Sequence, residues 1–244
     1  MTYLGILITF IASYLFSKSV IKQKVSRGAF VQGAFRSNYV IIGYPLILNM
    51  FGETGIAKAA VLTAFMMPIF NVLAVIILSI TSDNEMANDK KKIILNIIKN
   101  PLIIAIFISL FFSYFQIKLP TFANQTIDYL AQLSMPLALL GIGSFFSFEK
   151  MKDCFSNALL ASIIKIVINP LIFVSIAYFI GFRGDNLGVL FVLFGSPTSI
   201  SSFIMAEAMD NDSDLAANII IITTMGAIFT IFMGVYILKS IGEF

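Results

Sequence analysis

Two prolines interrupt long apolar runs of this sequence, one in the segment 38–45 and one in the segment 195–202. A proline inside a helix removes a backbone hydrogen-bond donor and clashes with the preceding turn. In a membrane, that damage is tolerated only where the freed backbone groups are buried in protein or line a cavity. Two interrupted helices in corresponding halves of a chain are typical of the binding site of a secondary transporter. The pattern therefore predicts two broken helices that line a cavity inside a membrane protein.

The composition argues against most other classes of protein. Hydrophobic residues make up 59% of the 244 residues, charged residues make up 12%, and the mean hydropathy is +0.95. These values predict a chain that lies in a lipid bilayer. The net charge of +3 is too small to indicate a nucleic-acid partner. Histidine is absent and Cys154 is the single cysteine, so the sequence indicates neither an internal disulfide nor a metal or other cofactor.

Apolar runs of about 20 residues predict membrane-spanning helices. Such runs give about eight helices, so we expect an all-α, polytopic membrane protein with an inverted-repeat transporter fold. The runs are 3–20, 29–51, 58–80, 94–116, 126–147, 155–181, 187–208 and 215–239.

Basic residues are distributed unequally between the two sides of these predicted helices. Eleven flank the first, third and fifth loops, and four flank the opposite loops. Because short cytoplasmic loops carry an excess of Lys and Arg, these three loops and the segment 209–214 are predicted to be cytoplasmic, with both chain ends outside. The eleven are Lys18, Lys22, Lys24, Arg27, Arg36, Lys90, Lys91, Lys92, Lys99, Lys150 and Lys152, and the four are Lys58, Lys118, Arg183 and Lys239.

The polar, lysine-rich segment 81–100 divides three predicted helices from five. A half with an odd number of spans gives the next half the opposite orientation, which is how inverted repeats arise. We therefore expect residues 1–80 to be the remainder of a first repeat, residues 81–100 a cytoplasmic linker, and residues 101–244 a complete second repeat of five helices.

The residues around both prolines resemble the auxin efflux carrier family, including its bacterial malate-permease-like members. The first interrupted segment is similar to the family pattern Asn-x-x-x-x-Gly-x-Pro-Leu, and the second to a proline followed by an alanine and a later aspartate. The matching residues are Asn38, Gly43, Pro45 and Leu46, then Phe51 and Gly52, and in the second segment Pro197, Ala206 and Asp214. The segments 117–120, 136–143 and 181–185 also fit, so the resemblance covers essentially the whole chain.

The resemblance implies a fold of ten helices in two inverted repeats, with two broken helices that cross near the middle of the membrane beside a scaffold. The family's first two helices have no counterpart here, so we expect in-frame codons upstream of Met1 to encode two further apolar spans. In the family these helices contribute to the scaffold and to the dimer contact, and the resemblance therefore allows a homodimer.

The two interrupted segments supply the predicted substrate-binding residues. Freed backbone donors and an amide suit a carboxylate, which favours Asn38, although an isolated membrane amide can also tie two helices together. The hydroxyl groups beside Pro197 either line a polar cavity or bond to their own backbone. Glycine and proline are expected to shape the crossing. The set is Asn38, Gly43, Pro45, Ser196, Pro197, Thr198 and Ser199.

Four further polar residues are candidates for ion coupling or for the wall of the pocket, because a charge or amide is costly to bury in a membrane. Plainer interpretations remain open for each of them: an interfacial lysine, a helix cap for Asp214, or packing. The four are Lys165, Glu207, Asp214 and Asn71.

These features predict a secondary transporter of the plasma membrane that moves small organic anions, such as mono- or dicarboxylates, by alternating access. The sequence contains no phosphate-binding loop and no His-Glu-x-x-His or paired-aspartate motif, so we do not expect an enzyme. Two alternatives remain open: a sodium-coupled relative similar to bile-acid symporters, and a truncated remnant that does not transport. The expected partners are the lipid bilayer and the substrate.

The predicted orientation can be tested with a single introduced cysteine. After replacement of the native Cys154 by serine, a cysteine at position 88 is expected to be protected from an impermeant thiol reagent in intact cells, because the segment 81–100 is predicted to be cytoplasmic. A cysteine at position 2 should react under the same conditions. Labelling at position 88 in unbroken cells would contradict the orientation.

Overall fold

The computed structural model of the chain describes residues 1–82, 90–145 and 148–243. Within these ranges the backbone is helical apart from short connections, and no residue lies in a β-strand. A helix satisfies its own backbone groups, which a chain in hydrocarbon requires because no water is available to do so. The all-α fold class is therefore confirmed for the described residues.

The helices are named in chain order. Up to residue 114 they are α1 (Thr2–Val20), α2 (Lys24–Phe35), a first π-helical turn (Tyr39–Gly43), α3 (Tyr44–Thr81), α4 (Lys90–Lys99) and α5 (Pro101–Tyr114). After it they are α6 (Thr121–Phe145), α7 (Phe148–Ile163), a second π-helical turn (Ile164–Ile168), α8 (Asn169–Ile180), α9 (Gly184–Gly195), α10 (Ser201–Ala208) and α11 (Ser213–Ser240).

Four helical stretches in the described residues are long and apolar enough to cross a membrane, and α5 and α9 are shorter apolar helices. The longest stretch has 58 residues and would measure about 87 Å if straight, nearly three times the hydrocarbon thickness of about 30 Å. It is interrupted at residues 36–38 and bends at Gly52. The predicted number of eight crossings remains a prediction. The four stretches are Thr2–Val20, Lys24–Thr81, Lys152–Ile180 and Ser213–Ser240.

At one end of the bundle, the start of α2 and the end of α3 lie beside the connection between α10 and α11. The Lys24 ammonium donates to the Ser82 carbonyl over 3.2 Å. The Thr81 hydroxyl donates to the Asn211 side-chain oxygen over 2.9 Å. These segments were assigned to the same side from the distribution of basic residues, and the structure places them together.

At the opposite end, the bend between the two parts of α3 lies beside the connection between α8 and α9. Lys58 and Asp185 form an ion pair of 3.2 Å, and Arg183 and Glu243 form another of 3.1 Å. The grouping of these segments also agrees with the sequence. Which end faces the cytoplasm stays a prediction.

Helices α2 and α9 occupy the centre of the bundle. Every residue from 28 to 35 of α2 and from 187 to 195 of α9 is buried. A helix that is apolar on all sides is stable only when protein or lipid surrounds it. Here α2 contacts α1, α3, α7 and α11, while α9 contacts α3, α8 and α11. The two short helices are therefore enclosed by longer ones.

The first break lies upstream of the position that the sequence indicated. The non-helical residues are 36–38, and Pro45 lies in a helix that continues from the first π-helical turn into α3. A proline ring normally clashes with the carbonyl four residues earlier, and a π-helical turn widens the helix at that place. Pro170 follows the second π-helical turn at the same spacing. Widened turns thus let both helices continue through a proline.

The bend at Gly52 provides a stability test. Gly52 has φ 61° and ψ −154°, a conformation that essentially only glycine adopts, and a Cβ added there meets nothing within 4 Å. Gly52→Ala is expected to lower the free energy of unfolding by about 1–3 kcal/mol through backbone strain. Unfolding of the purified protein in one detergent measures this.

Gly143→Ala is the matched control, because a Cβ there also meets nothing within 4 Å but the residue lies inside α6. This substitution should raise stability by about 0.5–1 kcal/mol. If both variants change stability equally, the strain at Gly52 is not the cause.

Candidate functional site

The two broken helices meet at their breaks. The first break comprises residues 36–38, between α2 and the first π-helical turn, and the second comprises residues 196–200, between α9 and α10. The Asn38 backbone N–H donates to the Pro197 carbonyl over 2.8 Å. A backbone donor of the first break is therefore paired with a backbone acceptor of the second.

Each break also donates a hydrogen bond from a side-chain hydroxyl to a carbonyl of the half-helix that precedes the other break. The Ser37 hydroxyl donates to the Leu193 carbonyl over 2.8 Å. The Thr198 hydroxyl donates to the Gly33 carbonyl over 2.7 Å. In each case the accepting carbonyl lies two residues before the end of the opposite half-helix. Such reciprocity is what a two-fold relationship between the crossings predicts.

One continuous helix, formed by α7, the second π-helical turn and α8, binds the next carbonyl of each half-helix. The Lys165 ammonium donates to the Phe194 carbonyl over 2.8 Å. Four residues later, the Asn169 amide donates to the Ala34 carbonyl over 2.9 Å. The last carbonyls of a helix lack partners within it and carry its negative dipole end. The Lys165 ammonium at the end of α9 and the Asn169 amide at the end of α2 supply the hydrogen-bond donors that these carbonyls lack.

The hydroxyls next to Pro197 are largely used within the protein. Ser196 is buried, and its hydroxyl donates to the Val192 carbonyl over 2.6 Å in its own helix. Thr198 is also buried, and its backbone N–H donates to the Thr223 hydroxyl over 3.1 Å. The Ser199 side chain is partly exposed. Of these predicted ligands, Ser199 is therefore the one whose side chain is accessible.

Gly43 lies where the first π-helical turn packs against α9. A Cβ added to it would lie 2.8 Å from the Tyr39 ring and 3.2 Å from Val192. A larger residue at position 43 would therefore displace the Tyr39 ring and press on α9. Pro45 and Pro197 line a single cavity of about 440 Å³ together with apolar residues of α3 and α11 and the polar residues Asn49 and Thr224. Both prolines therefore face the same space.

The Asn38 side chain is 5% exposed, and in the described ranges it forms no hydrogen bond. A buried amide normally has partners. Unlike Ser196 and Thr198, Asn38 therefore retains free donors and an acceptor at the crossing.

Arg36 is the residue that the sequence interpretation placed wrongly. It was counted among the loop residues, but its side chain is 3% exposed and lies at the first break. Its Nη1 donates to the Gln32 side-chain oxygen and to the Met205 sulfur, both over 2.8 Å. Its Nη2 donates to Asn71 Oδ1 over 2.9 Å and to Ser201 Oγ over 2.8 Å. Arg36 lies inside the apolar run 29–51, and a charged residue in such a run indicates a functional position inside the protein.

The remaining candidates fall in different places. Asn71 accepts the hydrogen bond from Arg36 and so belongs to the crossing. Glu207 is exposed near the end of α10. Asp214 lies in the first turn of α11, but the cap of that helix is Asp212, whose carboxylate accepts from the Leu215 N–H over 2.8 Å. Asp212 is therefore the N-cap residue of α11, and Asp214 places a carboxylate in the first turn, near the positive end of the helix dipole.

Asp214 lines a cavity of about 600 Å³ at the end of the bundle, near Lys22 and Cys154. That cavity contains no residue from either break. Asp214 and the crossing are therefore parts of two separate sites.

Comparison with known proteins identifies the family of the chain. The sequence profile of the family described as membrane transport protein matches residues 1–235. The chain belongs to this family, which includes the auxin efflux carriers. The resemblance seen in the sequence is thus confirmed.

Two archaeal relatives are described as uncharacterized transporters. The chain is 26% identical over 235 residues to one from Methanocaldococcus jannaschii, an alignment that covers 94% of this chain and 75% of the relative. It is 26% identical over 189 residues to one from Methanothermobacter thermautotrophicus, covering 77% of this chain and 60% of that relative. The chain is therefore a multi-pass membrane transporter by family.

The Thr198 hydroxyl offers a test of how the crossing is held together. Thr198→Val keeps the shape of the side chain but leaves the buried Gly33 carbonyl without its donor. We expect a loss of about 1–3 kcal/mol in the free energy of unfolding. Thr126→Val is the control, because that hydroxyl bonds within its own exposed helix and its loss should change stability by less than about 0.5 kcal/mol. Equal effects would contradict the structural role of Thr198.

Proposed function

We propose that this chain forms a secondary transporter of the plasma membrane that moves small organic anions, such as mono- or dicarboxylates, by alternating access. The observation that carries the proposal is the reciprocal bonding of two broken helices at the centre of the bundle. Broken helices expose N-terminal backbone donors and C-terminal carbonyls inside the membrane, and transporters bind substrates and ions with these groups.

The charge at the crossing favours an anionic substrate. Arg36 is buried, and in the part of the chain that the structure describes its guanidinium forms no ion pair with a carboxylate. A buried charge without a partner costs free energy that a bound opposite charge would offset. The free amide of Asn38 adds donors that a carboxylate can accept from.

The two crossings suggest how the repeats are arranged. We assign α2 and α3 to the remainder of a first inverted repeat within residues 1–80, and α9 and α10 to a second repeat within residues 101–244, with residues 81–100 between them. In such folds one bundle rocks against another around a fixed site. The chain would act as a permease and not as an enzyme, either alone or as a homodimer.

Transport by the reconstituted protein tests this proposal directly. Proteoliposomes should take up or release at least one of labelled lactate, pyruvate, succinate and malate in a saturable way, whereas the uncharged acetamide should not compete. Imposed sodium and proton gradients separate the sodium-coupled alternative from the others. If a folded protein moves none of these carboxylates in either direction, the proposed function is wrong.

Asn38 should affect affinity for the transported carboxylate. A hydrogen bond to a charged group contributes about 1.5–3 kcal/mol, so Asn38→Ala should weaken binding roughly ten- to a hundredfold. Asn38→Asp should weaken binding further, because it places a negative charge against an anion. Pro197→Ala should slow transport even where binding survives.

Asn124→Ala is the matched control, since that exposed amide donates to the Leu119 carbonyl away from the crossing. The affinity of the Asn124→Ala protein for the transported carboxylate should equal that of the unmodified protein. An Asn38→Ala protein with normal affinity and lower thermal stability would show that Asn38 only ties helices together.

A further inference from the structure

Arg36 carries a positive charge that the surrounding protein does not neutralise. Its four hydrogen-bond acceptors are an amide of Gln32, an amide of Asn71, a hydroxyl of Ser201 and the sulfur of Met205. All four are neutral groups. Its Nε is buried and has no partner among the described residues. Buried arginines are normally paired with carboxylates, because removing a guanidinium from water is costly.

The position of Arg36 increases this cost. Ser201, which accepts a hydrogen bond from Arg36, is the first residue of α10. The N-terminus of a helix carries a partial positive charge, so a cation there is unfavourable and an anion is favourable. A guanidinium is therefore held against the end of a helix that would stabilise the opposite charge.

The start of α10 also has polar groups without partners. The backbone N–H groups of Ser199, Ile200 and Ser201 form no hydrogen bond within residues 1–82, 90–145 and 148–243. The buried hydroxyl of Ser202 has no partner in the same ranges. The side chains of Ser199 and Ser201 are partly exposed, so this turn is accessible from one side. This accessible turn thus has free backbone donors and lies in contact with the Arg36 guanidinium through Nη2.

We propose that Arg36 and the first turn of α10 together bind the carboxylate group of the substrate. This inference rests on the proposed function and assigns the charge recognition within it to a residue outside the predicted set. A carboxylate suits the site because a guanidinium donates to it through two parallel N–H groups, while the N–H groups at the helix start donate from the other side.

Binding there would also alter the contacts between helices. The four acceptors of Arg36 come from α2, α3 and α10. A carboxylate that accepts hydrogen bonds from some of the guanidinium N–H groups would release the neutral acceptors that these groups now bind. The bound anion would therefore change how the two broken helices are joined, which links occupancy of the site to their arrangement.

The test measures carboxylate binding to the purified full chain by thermal unfolding. Sodium lactate, succinate and malate are titrated separately, with sodium chloride and acetamide as controls for ionic strength and for charge. At least one carboxylate should raise the melting temperature of the unmodified protein in a saturable way. Arg36→Gln keeps hydrogen-bonding capacity without charge, and it should weaken that affinity roughly ten- to a hundredfold.

Arg27→Gln is the matched control, because Arg27 lies on α2, the helix that Arg36 directly follows, but donates to the Ile21 and Lys22 carbonyls at the end of the bundle. Its carboxylate affinity should be unchanged. If Arg36→Gln does not fold, Arg36→Lys replaces it. That variant keeps the charge and loses the paired donors, so at least a severalfold loss of affinity is expected.

Three results would overturn the inference. If the Arg36 variants bind and transport carboxylates like the unmodified protein, the inference is wrong and the proposed function stands. If the unmodified, folded protein neither binds nor transports any of the carboxylates, both are wrong. A role in packing alone predicts a lower melting temperature with unchanged affinity, which again overturns the inference.

Discussion

Backbone groups that cannot reach water govern how this protein is built. Each break in a central helix frees carbonyl and N–H groups, and in a membrane each unpaired group costs several kcal/mol. The carbonyls near the end of α2 and of α9 are paired with Thr198, Asn169, Ser37 and Lys165. Each broken helix supplies hydrogen-bond partners for freed backbone groups of the other, and this pairing holds the crossing together. The backbone donors at the start of α10 have no such partners among the described residues, and they are where we place the substrate.

The polar residues at the crossing divide by what remains free after folding. Ser196 and Thr198 give their hydroxyls to carbonyl groups of the protein. Asn38 and Arg36 keep donors that no described residue uses. A side chain whose hydrogen bonds are complete holds the fold, whereas one with free donors can hold a ligand. This distinction, more than polarity itself, separates supporting residues from candidate ligands.

The apolar runs were sufficient to predict helices and to locate both interrupted segments, since length and hydropathy govern spans in lipid. The exact residues of the first break were not predictable, because the π-helical turn before Pro45 lets the helix continue through the proline. Arg36 was assigned to a loop because it follows other basic residues in the sequence. Its burial depends on partners in α3 and α10, which are 35 and 165 residues away. The N-cap of α11 is Asp212, two residues before Asp214, because its carboxylate accepts from the Leu215 N–H.

Lys165 and Asn169 lie four residues apart on one continuous helix, and each is bonded to the end of a different broken helix. Separating those two ends would break both bonds together, with no water to replace them. This third helix therefore fixes the spacing between the end of α2 and the end of α9. A displacement of any one of these three helices is transmitted to the other two.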